Sequence, residues 1–494
     1  MLINIILELN TQDGNYNDYP LLTACDNNNI EMIKLLIDYA DKNNIVLEMN
    51  KIDRFKIYPL FSVCDGNNID IAKLLIEYAN KNNIILELNE KNYDEYDPLL
   101  FAYFHNNIEM VQLLVDYAIK NNIKLNLYGK NRKGYYSLLF DYNEKIFEII
   151  HLLENYVKDN NFKYEINEKD ENGSYLLLDN CNENNIKGVQ LFIDFAYKTN
   201  NILDLNEKDN EGNYPLLSAC IKNNIEIVQI LIDYENIVNK KLELNAKDKN
   251  GNYPLLVACY NNNVDIIQLF IDYANKINIK LELNEKNNYG SYPLLRACWN
   301  NNIEIIKLLI DYANKNDIIL ELNDKNKYDN YPLLLACNNN NIKIIQLLID
   351  YANKNKIILE LNDKCKEHGN YSLLSACNKN NIDMIQLLID YANKNRIKLE
   401  LNEKDKNGNY PLLEACDNNN IEMIQLLIDY ANKNYIKLEL NEKDINGSYP
   451  LLKVCDNDNV EIIRLFIDYA KKIKIKLEYN KNDIKNPEIN ELLK

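Results

Sequence analysis

The side chains in this chain best able to do acid–base, nucleophilic or metal chemistry are three histidines, His105, His151 and His368, and eleven cysteines. The histidines lie far apart, and no Ser or Cys nucleophile falls at a spacing that would bring it beside any of them. Cys365 and His368 form C-x-x-H, half of a zinc site, but no second pair lies near it in sequence. An insertion tolerated in a loop accounts for that pair better than a metal does. Phosphate-cradling glycine motifs are absent. We therefore read the chain as non-catalytic, with no cofactor or metal implied.

The cysteines instead report a repeat. Ten of the eleven occupy one slot of a recurring Tyr-Pro-Leu-Leu-x-Ala-Cys pattern: Cys25, Cys64, Cys181, Cys220, Cys259, Cys298, Cys337, Cys377, Cys416 and Cys455. The residue after the tyrosine falls at Pro20, Pro59, Pro98, Ser137, Leu176, Pro215, Pro254, Pro293, Pro332, Ser372, Pro411 and Pro450, a 39-residue period with a single step of 40. A fixed period of this size signals a solenoid whose units bury a core only by stacking. The expected organisation is one array without linkers, with repeats near 11–50, 51–89, 90–128, 129–167, 168–206, 207–245, 246–284, 285–323, 324–362, 363–402, 403–441 and 442–480, then a short cap at 481–494. Adjacent helices of such a stack lie about 8–10 Å apart, and bridged Cα atoms lie within about 7 Å. The cysteines thus read as small buried hydrophobes of a reduced compartment.

The seventh copy shows what positions everything else. Pro254 suits the first position of a helix, where its missing N–H costs nothing. Leu255, Leu256, Ala258 and Cys259 make that helix short and apolar, and Asn261, Asn262 and Asn263 end it, since asparagine tolerates left-handed φ. A second helix is expected from about Val264 to Lys276. Val264, Ile267, Ile271 and Ala274 form its stripe, and Ile266, Leu269, Phe270 and Tyr273 widen it. Ile279, Leu281 and Leu283 then alternate with polar residues in an extended finger, and a polar turn at Gly290 leads to the next unit.

On these residues the chain resembles the ankyrin repeat. Asp209-Asn210-Glu211-Gly212-Asn213-Tyr214-Pro215-Leu216-Leu217 is similar to the D-x-x-G-x-T-P-L-H opening, Ala219-Cys220 to the Ala-Ala pair, Ile225–Ile232 to the second helix, and Leu244-Asn245-Ala246-Lys247-Asp248 to the closing V-N-A-x-D. The resemblance implies an all-α repeat solenoid of about twelve helix-turn-helix units with finger loops. It covers nearly the whole chain. Tyrosine stands for the threonine and leucine for the histidine of the opening, so burial is expected to replace the family's hydrogen bonds there. The inter-helix glycine is replaced by Asn28, Asn67, Asn106, Asn184, Asn223, Asn262, Asn301, Asn340, Asn380, Asn419 or Asp458, all suited to left-handed φ. The glycine ending the second helix becomes Ala40, Ala79 or Ala274, so that helix should run about one turn further.

A net charge of −18 disfavours nucleic acid as a partner. No apolar run long enough to span a membrane and no signal peptide is evident, so a soluble, cytoplasmic protein is expected, with no membrane partner. The many asparagines sit at fixed turn slots, unlike a low-complexity tract. Residues 4–10 repeat residues 83–89, so the chain opens on the finger of a unit whose helices are missing: either the first repeat is its own cap or a longer array precedes it. Pro487–Leu493 reads as a lone first helix capping the last repeat. Repeat four is the most divergent, with Phe140–Lys145 in place of Ala-Cys-Asn. Local distortion is expected there, although the neighbouring Phe101, Tyr103, Phe104 and His105 keep a dedicated site open.

Function is read from the slots that vary. The position after Ala-Cys holds Asp26, Asp65, Phe104, Asn143, Asn182, Ile221, Tyr260, Trp299, Asn338, Asn378, Asp417 and Asp456. The ankyrin resemblance implies that this slot lies on a concave contact face near the finger tips. Ile221, Tyr260 and Trp299 are consecutive there, Arg296 shares the helix of Trp299, and Tyr289 and Tyr328 sit at finger tips. Aromatic residues with arginine are the composition of an interface hot spot. Scattered exposed apolar residues are ordinary, yet three adjacent repeats agreeing at one slot favour a protein-binding scaffold. One or more neutral or basic proteins would be its partners, steered by the acidic copies at either end. A targeting or regulatory arm for a catalytic partner, or for a missing domain of a longer product, is the alternative. A mechanical spacer is a third.

Overall fold

Most of the described repeats begin on a proline at the first position of a helix. The computed structural model describes residues 7–127, 152–157, 166–480, 484 and 486–493, which fall into two compact units, Met1–Leu242 and Glu243–Lys494. The boundary falls inside a finger. His151, Phe140–Lys145 and residues 4–6 lie outside the described residues.

In the second unit the first helices are Pro254–Tyr260, Pro293–Trp299, Pro332–Asn338, Ser372–Asn378, Pro411–Asp417 and Pro450–Asp456. Their partners are Val264–Ile277, Ile303–Lys315, Ile342–Asn355, Ile382–Asn395, Ile421–Lys433 and Val460–Ile473. The first unit repeats the plan from Pro20–Asp26 and Ile30–Lys42 to Pro215–Ile221 and Ile225–Val238. Within a unit, among the described residues, first helices pack on first helices, and a second helix packs on its own first helix and, where the next repeat is described, on the next second helix. Leu255, Leu256, Ala258 and Cys259 are buried, as are their counterparts in the other described repeats apart from Leu452, which is half-buried. In the helix Val264–Ile277 the fully buried residues are Ile266, Ile267, Phe270, Tyr273 and Ala274, while Val264 and Ile271 are only half-buried. The buried face is thus turned from the expected stripe, because this helix must meet both its own first helix and its neighbours.

The asparagine triplet does three jobs. Asn301 takes left-handed φ at 56°, as do all eleven residues that replace the family's glycine. The next residue, Asn302, caps the second helix: its side chain accepts from Ile305 N at 3.0 Å. Its amide also donates to Asn262 Oδ1 of the preceding repeat at 2.8 Å, and Asn341, Asn381, Asn420 and Asn459 each make the same bond to the left-handed asparagine of the repeat before. The second helices do run past the alanine, and a left-handed residue four places on stops them, Asn278 after Ala274 for example.

No strand forms among the described residues, although the fingers are extended. Side chains replace the ladder. Asn284 donates to Ile319 O at 2.7 Å and accepts from Glu321 N at 3.1 Å, so one amide pairs two fingers as a backbone would. The tyrosines fasten the same region. Tyr292 is fully buried and its hydroxyl donates to Asp324 O in the next finger at 2.9 Å. Burial therefore does replace the family's threonine, but a cross-repeat hydrogen bond accompanies it. From the second helix, Tyr351 OH accepts from Leu320 N at 3.1 Å and donates to Ile318 O at 3.2 Å. At the chain's start Leu7 N donates to Tyr39 OH in the same manner, so residues 7–10 sit as a finger.

All eleven cysteines are free and buried. Burial pushes the Cys337 thiol up to about 12, as expected of a packing residue. The helix Pro487–Leu492 packs on the second helix Val460–Ile473, with Ile489 buried.

Candidate protein-binding site

A first helix of seven residues offers two positions that the core does not claim. In Pro293–Trp299 the two leucines, Ala297 and Cys298 point inward, leaving Arg296 and Trp299. They are three apart and so share a helix face. Arg296 Cζ lies 5.7 Å from the Trp299 ring. It also lies 3.6 Å from the centroid of the Tyr260 ring, and Nη2 donates to Tyr260 OH. Tyr260, Arg296 and Trp299 thus form one stacked cluster, half-buried at the arginine and half-exposed at the indole.

The pairing of Tyr260 with Arg296 is the part that composition did not reveal. The slot after Ala-Cys in one repeat faces the slot after Leu-Leu in the next. The same relation joins Asp417 to Lys453 at 2.6 Å, Asn378 to Glu414 at 3.2 Å and, in the first unit, Asp26 to Ser62. A signal was present, since complementary residues recur 36 places apart in these pairs. It also changes the reading of the acidic copies, because Asp417 is neutralised by Lys453.

Tyr289 and Tyr328 are half-exposed finger-tip residues. Lys327 N donates to Tyr289 O at 3.0 Å, and its ammonium lies 5.6 Å from that ring. No hydrogen bond or ring contact joins either tyrosine to Tyr260, Arg296 or Trp299 among the described residues. Ile221 ends the helix Pro215–Ile221 of the first unit and is exposed.

The chemistry-bearing residues stay apart. His105 Nε2 hydrogen-bonds Asp65 O at 2.8 Å. Cys365 is buried whereas His368 is exposed, and no cluster suited to a metal exists among the described residues. The insertion is absorbed in the turn: Cys365 N reaches Asn370 O, five residues on, where Asp405 N reaches Asn409 O, four on. A polar cleft of about 200 Å³ beside it is lined by His368, Asn378, Asp405 and Glu414, among others. Burial raises the Glu414 carboxyl, against a hydrogen bond from Asn378.

Helix, asparagine turn, helix and finger, recurring in both units, define an all-α repeat solenoid. The family profile "Ankyrin repeats (3 copies)" matches residues 43–125 and 235–319, "Ankyrin repeats (many copies)" matches 373–428, and single ankyrin repeats match 16–45, 211–240 and 328–357. Together these cover more than half of the sequence, and the chain belongs to the ankyrin repeat family. Among solved structures, the ankyrin repeat domain of Bcl-3, a member of the IkappaB protein family, is 18% identical over 51% of this chain and 99% of its own, with a TM-score of 0.36. EF0377, an ankyrin repeat protein, is 22% identical over 46% of this chain and all of its own, with a TM-score of 0.35. No curated protein matches the chain. Ankyrin repeats are in general protein–protein interaction modules. No helix among the described residues is long and apolar enough to cross a membrane.

Proposed function

We propose that this chain is a non-catalytic cytoplasmic scaffold, a single array of about twelve repeats that binds a neutral or basic partner protein. Its main contact surface is the cluster of Tyr260, Arg296 and Trp299, with Tyr289 and Tyr328 as further contacts in the second unit and Ile221 as a separate contact in the first. The observation that carries this reading is the contrast within each first helix. Leu-Leu and Ala-Cys are buried in nearly every copy, while the slots between and after them change, and in repeats seven and eight they present aromatic rings around a guanidinium. Large rigid rings and arginine bring much contact area for little lost conformational entropy. Protein captured from native lysate by the immobilised chain should be lost on Tyr260→Ala/Trp299→Ala, at equal helicity. Equal capture by both would place the contact elsewhere.

A further inference from the structure

The geometry points to Arg296 as the receptor for a carboxylate side chain, an Asp or Glu in a partner segment whose neighbouring apolar residue lies on Trp299; this rests on the surface proposed above. Lys453 occupies the same position as Arg296, and there the preceding repeat supplies Asp417, which neutralises it at 2.6 Å. At Arg296 the preceding repeat supplies Tyr260, which stacks on the guanidinium but carries no charge. Arg296 makes no ion pair among the described residues, in a chain of net charge −18 where carboxylates outnumber cations. Its side chain makes a single hydrogen bond, to Tyr260 OH, and Nε is buried without a partner. The guanidinium is therefore oriented, partly stripped of water and electrically uncompensated.

Such a group gains most from an anion that meets its fork in the plane. Tyr260 holds the side chain in place, with Nη2 bonded to its hydroxyl and Nε buried, so an anion meets the guanidinium from the Nη1 side and little entropy is lost on binding. A carboxylate suits the site better than a phosphate, because one cation compensates a monoanion and the acidic chain opposes a dianion. The half-exposed Trp299 indole, 5.7 Å away, would take the adjacent apolar residue. Recognition is thus local: a single acidic residue within a partner that is neutral or basic as a whole.

The test is a selection of phage-displayed random dodecapeptides on the full chain, followed by affinities of synthetic versions on wild type, Arg296→Gln, Arg296→Lys and Trp299→Ala. Selected peptides should share one Asp or Glu beside an apolar residue. Changing that acid to its amide should weaken binding about tenfold or more on the wild type and leave it unchanged on Arg296→Gln, with Arg296→Lys between. Peptides that need Trp299 but ignore both the amide change and Arg296→Gln overturn the carboxylate assignment while keeping the surface. Phosphoserine in place of the acid binding more than tenfold tighter overturns it in favour of a phosphate. Binding indifferent to Trp299→Ala as well overturns the surface, and this assignment with it.

Discussion

At the scale of single residues, tyrosine carries more of the structure than its place in the repeat suggests. A chain with 36 tyrosines uses two in most repeats as fasteners whose rings fill the core and whose hydroxyls reach a neighbouring finger. Tyr351→Phe keeps the ring but leaves Leu320 N–H buried without an acceptor, which should cost about 1–3 kcal/mol. Loss of amide-exchange protection at Leu320 would show it. Asp97 stands where other repeats have tyrosine. Its carboxylate accepts from Leu100 N, but Oδ2 is buried without a partner, and burial raises its pKa to about 6 from 3.8. A raised carboxyl disfavours the ionised form, so its penalty is absent below about pH 4 and complete above about pH 6. Asp97→Asn should accordingly stabilise by about 1–3 kcal/mol at pH 7.5. By pH 4 that gain should have vanished, as paired denaturation curves at the two pH values would show.

The element scale is governed by how helices end. Among the described residues, the left-handed position after the second helix is asparagine in six repeats, from Asn44 to Asn278, but Tyr435 in the eleventh, with φ at 55° and the side chain almost wholly exposed. A bulky residue there is strained with no contact to repay it. Tyr435→Asn should raise stability by about 0.5–1 kcal/mol, read as slower exchange in the helix Ile421–Lys433. In contrast, Asn302→Ala removes both a helix cap and an amide bonded to the previous repeat, at a cost of about 1–2 kcal/mol measured by denaturation. Neighbouring asparagines in one triplet are therefore not interchangeable.

At the scale of the molecule, each repeat's core is completed by its neighbours, so stability is a sum of local terms and unfolding starts where a neighbour is lacking. Met32 is exposed on the first second-helix, whereas Ile71 and Ile305 at the same position are wholly buried. Ellman's reagent should find almost no reactive thiol in the native chain and eleven after denaturation. In slow native labelling Cys455, 7% exposed, should react ahead of the wholly buried Cys298, and a uniform rate would show that the repeats open together.

The sequence by itself determined the repeat, its helix boundaries to within a residue or two, the left-handed asparagines and the packing role of the cysteines. All of these follow from rules that act within a few residues: helix periodicity, proline at a first turn, asparagine at positive φ. Only the tertiary structure decided what lies across repeats. Tyr260 became a partner of Arg296 because stacking places residues 36 apart in contact, a relation no local rule contains. The fingers show the same division. Leu281 and Leu283 alternate as a strand would, yet the backbone of this finger is satisfied by neighbouring repeats, Leu281 N donating to the Tyr312 hydroxyl and Glu282 N to Asn245 Oδ1. Alternation records which side chains are buried; which atoms satisfy the backbone is settled by the neighbour.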